Sequence, residues 1–491
     1  MSNIPTVNLG IVAVSRDCFP IKLSGSRRDA VVAELANKNV KPFVANTVVE
    51  NEKDALKALD ELKQAKANAL VVYLGNFGPE GPETWMAQKF DGPVMFVAAA
   101  EDDNLVDGRG DAYCGMLNAS YNLGLRNMRV HIPEYPVGTP AEAAEMIREF
   151  IPIARVLIGL SSLKIITFGP RPYDFLACNA PIKPLYNLGV EIQENSELDL
   201  FATFNDHKDD PRIESVVKDM QEELGIGNKH PGVLPRLAQF ELALLDWIEK
   251  NAGGCNYVSL ADKCWPAFQT QFGFVPCYVN SRLATRGIPV ACEADIYGAL
   301  SEYILTAATG CPPSILDINN TVPKKMYEAN KKELEGYAHS DLFMGFHCGN
   351  TPACHVKNPE LRHQLIMKRL LEPDGEPDIT RGTLEGQFKP SKATIFRLQS
   401  TADATLKSYI AQGEVKDIDP ESFGSIGVIA IPQMARFYRN VLIEDNYPHH
   451  TAIAFEHVGK VLHSVVRILG VSKISYNQPA NLPYPTENPF C

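Results

Sequence analysis

The chain has 491 residues, 45% apolar and 22% charged, which are the proportions of a soluble globular protein with more than one core. Its formal charge of −12 excludes a general nucleic-acid binder, which needs a basic face to displace counterions. No run approaches the roughly 18 apolar residues of a membrane span, and Met1 to Pro5 shows no secretory pattern. A cytoplasmic chain with eleven reduced cysteines and no membrane partner is therefore expected.

Val7 to Val14 reads as a buried strand, Arg28 to Ala36 as a helix and Pro42 to Val49 as a second strand. Glu52 to Lys66 reads as a charged amphipathic helix, with strands at Ala69 to Leu74 and Val94 to Ala100. This alternation predicts parallel βαβ units with helices on both faces. The stretch Gly75 to Gly81 follows a strand, at the edge where such sheets bind ligands. It carries neither GxGxxG nor GxxxxGK[ST], so a nucleotide site is not expected there. A second α/β region runs from the strand Lys164 to Phe168 through the helix Leu234 to Lys250 and an apolar strand at Phe274 to Val279. A well-marked helix follows, with Asp295 as N-cap and Ile296, Ala299, Leu300, Tyr303, Ile304 and Ala307 on one face. Gly310 and Pro312 stop it, and Ser314 to Ile318 is the next strand.

Beyond about residue 350 the pattern changes to shorter strands, Thr394 to Arg397, Gly424 to Ile431 and Thr451 to Phe455, with a closing helix Val458 to Leu469. The expected fold is α/β, with two Rossmann-like parallel α/β domains at 1–163 and 164–350. A β-rich, barrel-like C-terminal domain at 351–491 completes it.

Two carboxylates stand where core residues would be expected. Glu293 closes the apolar run from Ile288, and Asp317 sits near the end of the strand from Ser314. A buried unpaired charge is costly, so each should be paired, hydrogen-bonded or bound to a metal. Helix capping, or pairing with Arg282 or Arg286, is the bland alternative for either one. His449 and His450 stand before an apolar strand, and His347 ends the apolar run Leu342 to Phe346. Carboxylates and histidines at strand ends suit Mn²⁺ or a similar divalent ion. The segment His347 to His355 also holds Cys348 and Cys354, but its spacing fits no common zinc module.

The segments Asn280-Ser281-Arg282-Leu283, Arg286-Gly287-Ile288-Pro289 and Ala291-Cys292-Glu293-Ala294-Asp295 with Gly298-Ala299-Leu300 resemble the central motif of the L-fucose isomerases. Lys263-Cys264-Trp265-Pro266 is similar to another segment of that family, and the His449-His450-Thr451 element also resembles the arabinose isomerases. The resemblance implies a metal held by Glu293, Asp317 and His450, with His449 as the alternative to His450 and His347 as a fourth ligand. It implies that Glu293 and Asp317 also transfer protons in an aldose–ketose isomerisation through a metal-stabilised enediolate. Arg282, Ser281, Asn446 and Trp85 are the candidate substrate contacts, and the expected partners are a small aldose or ketose and further copies of the chain in a homotrimer or homohexamer. The chain departs from the family at its head, where Gly25-Ser26-Arg27-Arg28 replaces a glycine–arginine opening, so the sugar is left open and a charged one is an alternative. A non-catalytic sugar-binding protein on the same fold is the competing class.

Overall fold

In the computed structural model, which describes residues 3–105 and 109–490, the chain gathers into two units. Met1 and Ser2 of the Met1 to Pro5 segment, and Cys491, lie outside the described residues; the other ten cysteines are free thiols.

The N-terminal unit comprises Pro5–Ile158 and Lys460–Gly470. Its strands β1 (Leu9–Val14), β2 (Phe43–Val44), β3 (Ala69–Leu74), β4 (Val94–Ala99) and β5 (Val137–Gly138) form a parallel sheet in the order β2-β1-β3-β4-β5. Every residue of β1, β3 and β4 is buried, as expected when helices cover both faces of a parallel sheet. Those helices include Ile21–Asn37, Glu52–Gln64, Glu80–Lys89 and Ala112–Leu125. Asn51 starts the second of them by accepting from the backbone N–H groups of Lys53 and Asp54. The strand expected at Pro42 to Val49 shortens to Phe43–Val44. The late segment Lys460–Gly470 returns to this unit as the bulk of the Gly459–Ile468 helix. There Leu462, Val465 and Val466 are fully buried, and Lys460 Nζ lies 2.6 Å from Glu149 Oε2.

The larger unit opens with a second parallel sheet, ordered β7-β6-β8-β9. Its members are β6 (Leu163–Gly169), β7 (Glu191–Ser196), β8 (Tyr257–Ala261) and β9 (Val290–Ala291). An aromatic core containing Phe168, Phe204, Phe240, Phe268, Phe272 and Phe274 packs with it. The strand expected at Phe274 to Val279 is not one. Residues Cys277–Thr285 form a helix instead, buried from Cys277 to Ala284. A short apolar run reads alike as a buried strand or as a helix buried all round, because neither has a polar face to reveal its period.

The Ile296–Thr309 helix is likewise buried from Ile296 to Ala308 and lies against β8 and the following sheet. It begins at Asp295, whose side chain accepts from Gly298 N, and ends at Gly310 in the left-handed region (φ 74°).

That following sheet has nine strands: β10 (Ser314–Ile318), β11 (Leu342–His347), β12 (Glu360–His363), β13 (Arg381–Gln387), β14 (Ser391–Ser400), β15 (Leu406–Lys416), β16 (Ser425–Ala430), β17 (His450–Ala454) and β18 (Lys473–Tyr476). Its order is β12-β13-β16-β11-β10-β17-β14-β15-β18. Because β15 also pairs with β16, the strands β16-β11-β10-β17-β14-β15 return on themselves as a ring. Thr394 to Arg397 is the middle of a ten-residue strand, longer than its apolar run suggested. Among the described residues no helix is long and apolar enough to cross a membrane.

Candidate active site

The register of the nine-stranded sheet builds the centre of the site. In the antiparallel pair β10–β17, Asp317 stands directly opposite His450. On the other side of β10, Asp317 stands opposite Phe346, one residue before His347. Cross-strand partners share a face, so residues distant in sequence are brought together. Glu293 arrives from the parallel sheet. After β9 the chain turns through Glu293 and Ala294, both left-handed (φ 61° and 55°), before Asp295 caps the next helix. Two consecutive non-glycine residues in that region store strain, which is characteristic of functional sites.

His450 is the hub. Its Nε2 lies 3.2 Å from Glu293 Oε2 and 3.5 Å from Asp317 Oδ1. The ring is 1% exposed, and Nε2 has no hydrogen-bond partner. His449 is 40% exposed and reaches Asp317 Oδ1 alone, at 3.4 Å. Its ring is 4.5 Å from that of His450. His347 is buried with an unpartnered Nδ1, its ring 5.9 Å from that of His450. Trp265 Nε1 donates to Glu293 Oε1 at 2.9 Å. Phe175 packs its ring against Trp265, His449 and His450.

Burial acts on every group here, and the neighbours decide the outcome. Glu293 would be pushed up by burial, but the neighbouring His450 and the hydrogen bond from Trp265 hold it below its usual value. Asp317 is raised to about 6 by burial, with the Glu293 charge adding to the rise and His450 opposing it. Burial lowers His347 to about 3 and His449 to about 4, so both rings are neutral. Against the same burial, hydrogen bonds to Asp295 and Cys178 and the Glu293 carboxylate beside Nε2 raise His450 well above its ordinary value.

Two overlapping groups could hold a metal ion: Cys178, Glu293 and His450, and Asp317, His449 and His450. A third, His207, Asp210 and Asp246, is bridged by Arg212, which donates to both carboxylates. The thiols and histidines of 347–355 go separate ways among the described residues. His355 Nε2 donates to Pro312 O (2.8 Å) and its ring stacks on Phe455, Cys354 is exposed, and Cys348 lies beside Gln364.

The other sequence candidates fall in different places. Arg282 is buried and committed to Glu241 (2.6 Å), Glu223 (2.7 Å) and Asp219 (2.5 Å), away from Glu293. Ser281, on the same helix, is buried with its hydroxyl unpartnered. Asn446 borders a cavity of about 1000 Å³ that also includes His449, Lys407, Lys473 and Ser400. Asp317 and His449 border a second cavity of about 690 Å³. Trp85 is half-buried in the Glu80–Lys89 helix of the N-terminal unit. Sequence reasoning missed Cys178 and Arg397, and read Asp295 only as a helix cap. A charge inside the apolar run Ile395-Phe396-Arg397-Leu398 was the available signal, since burying it demands a partner.

The family model described as Fucose/sulfoquinovose isomerase, N-terminal domain, matches residues 10–161, and that described as L-fucose isomerase, C-terminal domain, matches residues 345–476. Among curated proteins the chain is similar to the sulfoquinovose isomerase of Priestia aryabhattai, with 23% identity over 470 residues, covering 95% of this chain and 98% of the relative. That of Alkalicoccus urumqiensis is 24% identical over 348 residues, covering 70% and 71%. That of Clostridium sp. (strain MSTE9) is 27% identical over 305 residues, covering 61% and 62%.

Proposed function

We propose that this chain, which belongs to the fucose isomerase-like superfamily and is an intramolecular oxidoreductase of the aldose–ketose isomerase class, works with a divalent cation held by Glu293, Asp317 and His450. The observation that carries this reading is a single nitrogen. His450 Nε2 is buried without a hydrogen-bond partner while two carboxylates face it at 3.2 and 3.5 Å. Asp317 Oδ1 and His347 Nδ1 are also buried and unpartnered. Buried polar atoms left unsatisfied are costly, and lone pairs gathered at one spot are what a cation satisfies. Two carboxylates and an imidazole are a donor set suited to Mn²⁺. When bound, such an ion polarises the substrate carbonyl and offsets the negative charge that develops as the neighbouring carbon loses its proton.

The rest is work for side chains. Interconverting an aldose and a ketose moves one proton between C1 and C2 and another between their oxygens. Glu293 and Asp317 can take a proton from one carbon and return one to the other, the step passing through an enediolate. Trp265 holds Glu293 Oε1 and so leaves Oε2 turned toward His450. The Phe175 ring over the histidines limits water at the reacting carbons.

For the substrate we extend the class named by the relatives, a hexose bearing a sulfonate. The anionic class rests on those relatives, since Lys407 and Lys473 in the wall of the cavity beside His449 are already engaged by Asp445 and by the backbone of Asp445 and Asn446. Assembly as a homotrimer or homohexamer belongs to the same reading, and light scattering tests it. The main experiment incubates metal-stripped protein with sulfoquinovose, L-fucose and L-arabinose, with and without Mn²⁺, and follows ketose by NMR. Mn²⁺-dependent conversion of sulfoquinovose is expected. Equal turnover in the presence of chelator overturns the metal, and turnover of the neutral sugars alone overturns the substrate class. Running the reaction in deuterated water should place solvent deuterium on carbon in the product, whereas a hydride shift would leave that carbon unlabelled.

A further inference from the structure

The Nδ1 side of His450 is as crowded as its Nε2 side is bare. Asp295 Oδ2 lies 2.9 Å from Nδ1, and Cys178 Sγ lies 3.6 Å from the same nitrogen. The Asp295 carboxylate is gripped in turn by Arg397, whose two terminal nitrogens donate to Oδ2 at 2.6 Å and to Oδ1 at 2.9 Å. Oδ1 also accepts from Gly298 N at 2.9 Å. Each oxygen of Asp295 thus has two donors, which leaves this acid, two residues from Glu293, no lone pair to offer elsewhere. Arg397 is itself fixed, donating through Nε to Gln399 Oε1 at 2.9 Å and reaching the backbone oxygen of His450 at 3.4 Å. Asp295 and Arg397 are both fully buried.

The backbone is cut to fit this arrangement. A Cβ at Gly298 would stand 2.8 Å from Asp295 Cγ and 2.5 Å from Ile315 Cδ1, so a side chain there would displace the Asp295 carboxylate and the tip of Ile315. An ionised carboxylate only accepts hydrogen bonds, so the proton between Asp295 Oδ2 and His450 Nδ1 sits on the nitrogen. When the Nε2 proton is displaced by an arriving cation, the ring keeps its proton on Nδ1 and presents the Nε2 lone pair toward Glu293 and Asp317.

We propose that Asp295 and Arg397 are positioning residues for this site: Arg397 locks Asp295, Asp295 holds the Nδ1 proton, and His450 is thereby fixed with Nε2 presented as the ligand atom. Outer partners of this kind fix both the tautomer and the ring orientation of a metal-binding histidine. The inference rests on the reading of His450 as a cation ligand. A merely structural pair tying the helix to β14 would need neither a particular histidine tautomer nor any effect on a cation.

The test combines a variant with a measurement on the unaltered chain. Asp295→Asn places an amide NH₂ among donors. Turned toward His450, that group donates to Nδ1 and drives the ring proton to Nε2. The Mn²⁺ dissociation constant, read from the electron paramagnetic resonance of free Mn²⁺, should rise about 10–100-fold. Arg397→Lys, which keeps the charge but not the fork, should fall between Asp295→Asn and the unaltered protein. In metal-free protein carrying ¹⁵N-histidine, at a pH high enough for the His450 ring to be neutral, Nδ1 should bear a slowly exchanging, downfield-shifted proton and Nε2 none. An unprotonated Nδ1 there, or unchanged Mn²⁺ affinity in a folded Asp295→Asn protein, overturns the proposal. If Asp295→Asn does not fold, the spectrum of the unaltered protein decides alone. If the unaltered protein binds no Mn²⁺, the metal reading fails by itself, and the Nδ1 proton still tests whether Asp295 sets the tautomer.

Discussion

Around Arg282 every charge is answered. Its guanidinium donates to Glu241, Glu223 and Asp219, Arg286 adds a second cation on Glu241, and the Tyr278 hydroxyl donates to Glu223. Around His450, in the same unit and at similar burial, the accounts stay open. Nε2 of His450, Oδ1 of Asp317 and Nδ1 of His347 all lack hydrogen-bond partners. Both clusters gather acids around a buried centre, Arg282 in one and His450 in the other, and the same motif supplies Arg282 and Glu293. The difference lies in what is missing. A cluster closed by its own cations is part of the scaffold, whereas one that gathers lone pairs and leaves them unused is built for something that arrives from outside.

Substitutions should separate the two kinds. Glu293→Gln and Asp317→Asn each keep shape but remove a proton acceptor and weaken an anionic ligand. Each should cut ketose formation by at least about 10² to 10⁴-fold while leaving the urea midpoint close to that of the parent. A large loss of stability together with the loss of turnover would instead make these acids scaffold. Arg282→Met should do the reverse. It leaves the fully buried Glu241 with Arg286 alone of its two cations and should cost up to about 3–5 kcal/mol in urea unfolding, with turnover per folded molecule retained. Loss of activity in the folded fraction would return Arg282 to the substrate role suggested by its motif.

His450→Ala should weaken Mn²⁺ binding by more than the roughly 10–100-fold typical of an outer partner, with partial rescue of turnover by excess Mn²⁺. His449→Ala, at a half-exposed ring that approaches Asp317 but not Glu293 among the ion pairs of the described residues, should be milder. A titration in which His449→Ala proves the worse of the two would exchange their roles.

The smallest effect is expected in acid. The hydrogen bond from Arg282 holds Asp219 below its ordinary value of 3.8. That contribution is therefore complete above about pH 4 and disappears as the pH falls through the lower folded value. Asp219 is 63% exposed, so solvent screens most of it. Asp219→Asn should lower the urea midpoint slightly at pH 7 and by less as the pH falls below about 4. A difference that does not shrink with acid would mean that Asp219 acts through something other than its charge.

Much of this contrast was legible in the chain itself, for identifiable reasons. Glu293 and Asp317 stood out because an acid closing an apolar strand has no cheap place to go. Asp295 announced a helix start, and the strand Ser314–Ile318 carried its own boundaries. What stayed hidden depended on partners far along the chain. Nothing local reveals that Asp317 faces His450 across β10 and β17, or that Arg282 is claimed by Asp219, Glu223 and Glu241. Arg397 was visible as a charge in an apolar strand, but its partner Asp295 already had a sufficient explanation as a cap. The Cys277–Thr285 helix passed for a strand because burial on all sides erases the period that would identify it.

One feature of the fold bears on how the molecule is made. The N-terminal unit is the first to leave the ribosome, yet it includes Lys460–Gly470, where Leu462, Val465 and Val466 are sealed from solvent. Synthesis runs from the N-terminus, and domains generally fold in that order. This unit must instead wait, with the surface destined for those side chains uncovered, until Lys460–Gly470 has been translated. Its completion is thereby coupled to that of the larger unit, whose strands β10 to β17 are all made in the interval. A ribosome that stops before residue 460 releases two unfinished pieces rather than one finished domain and a remnant.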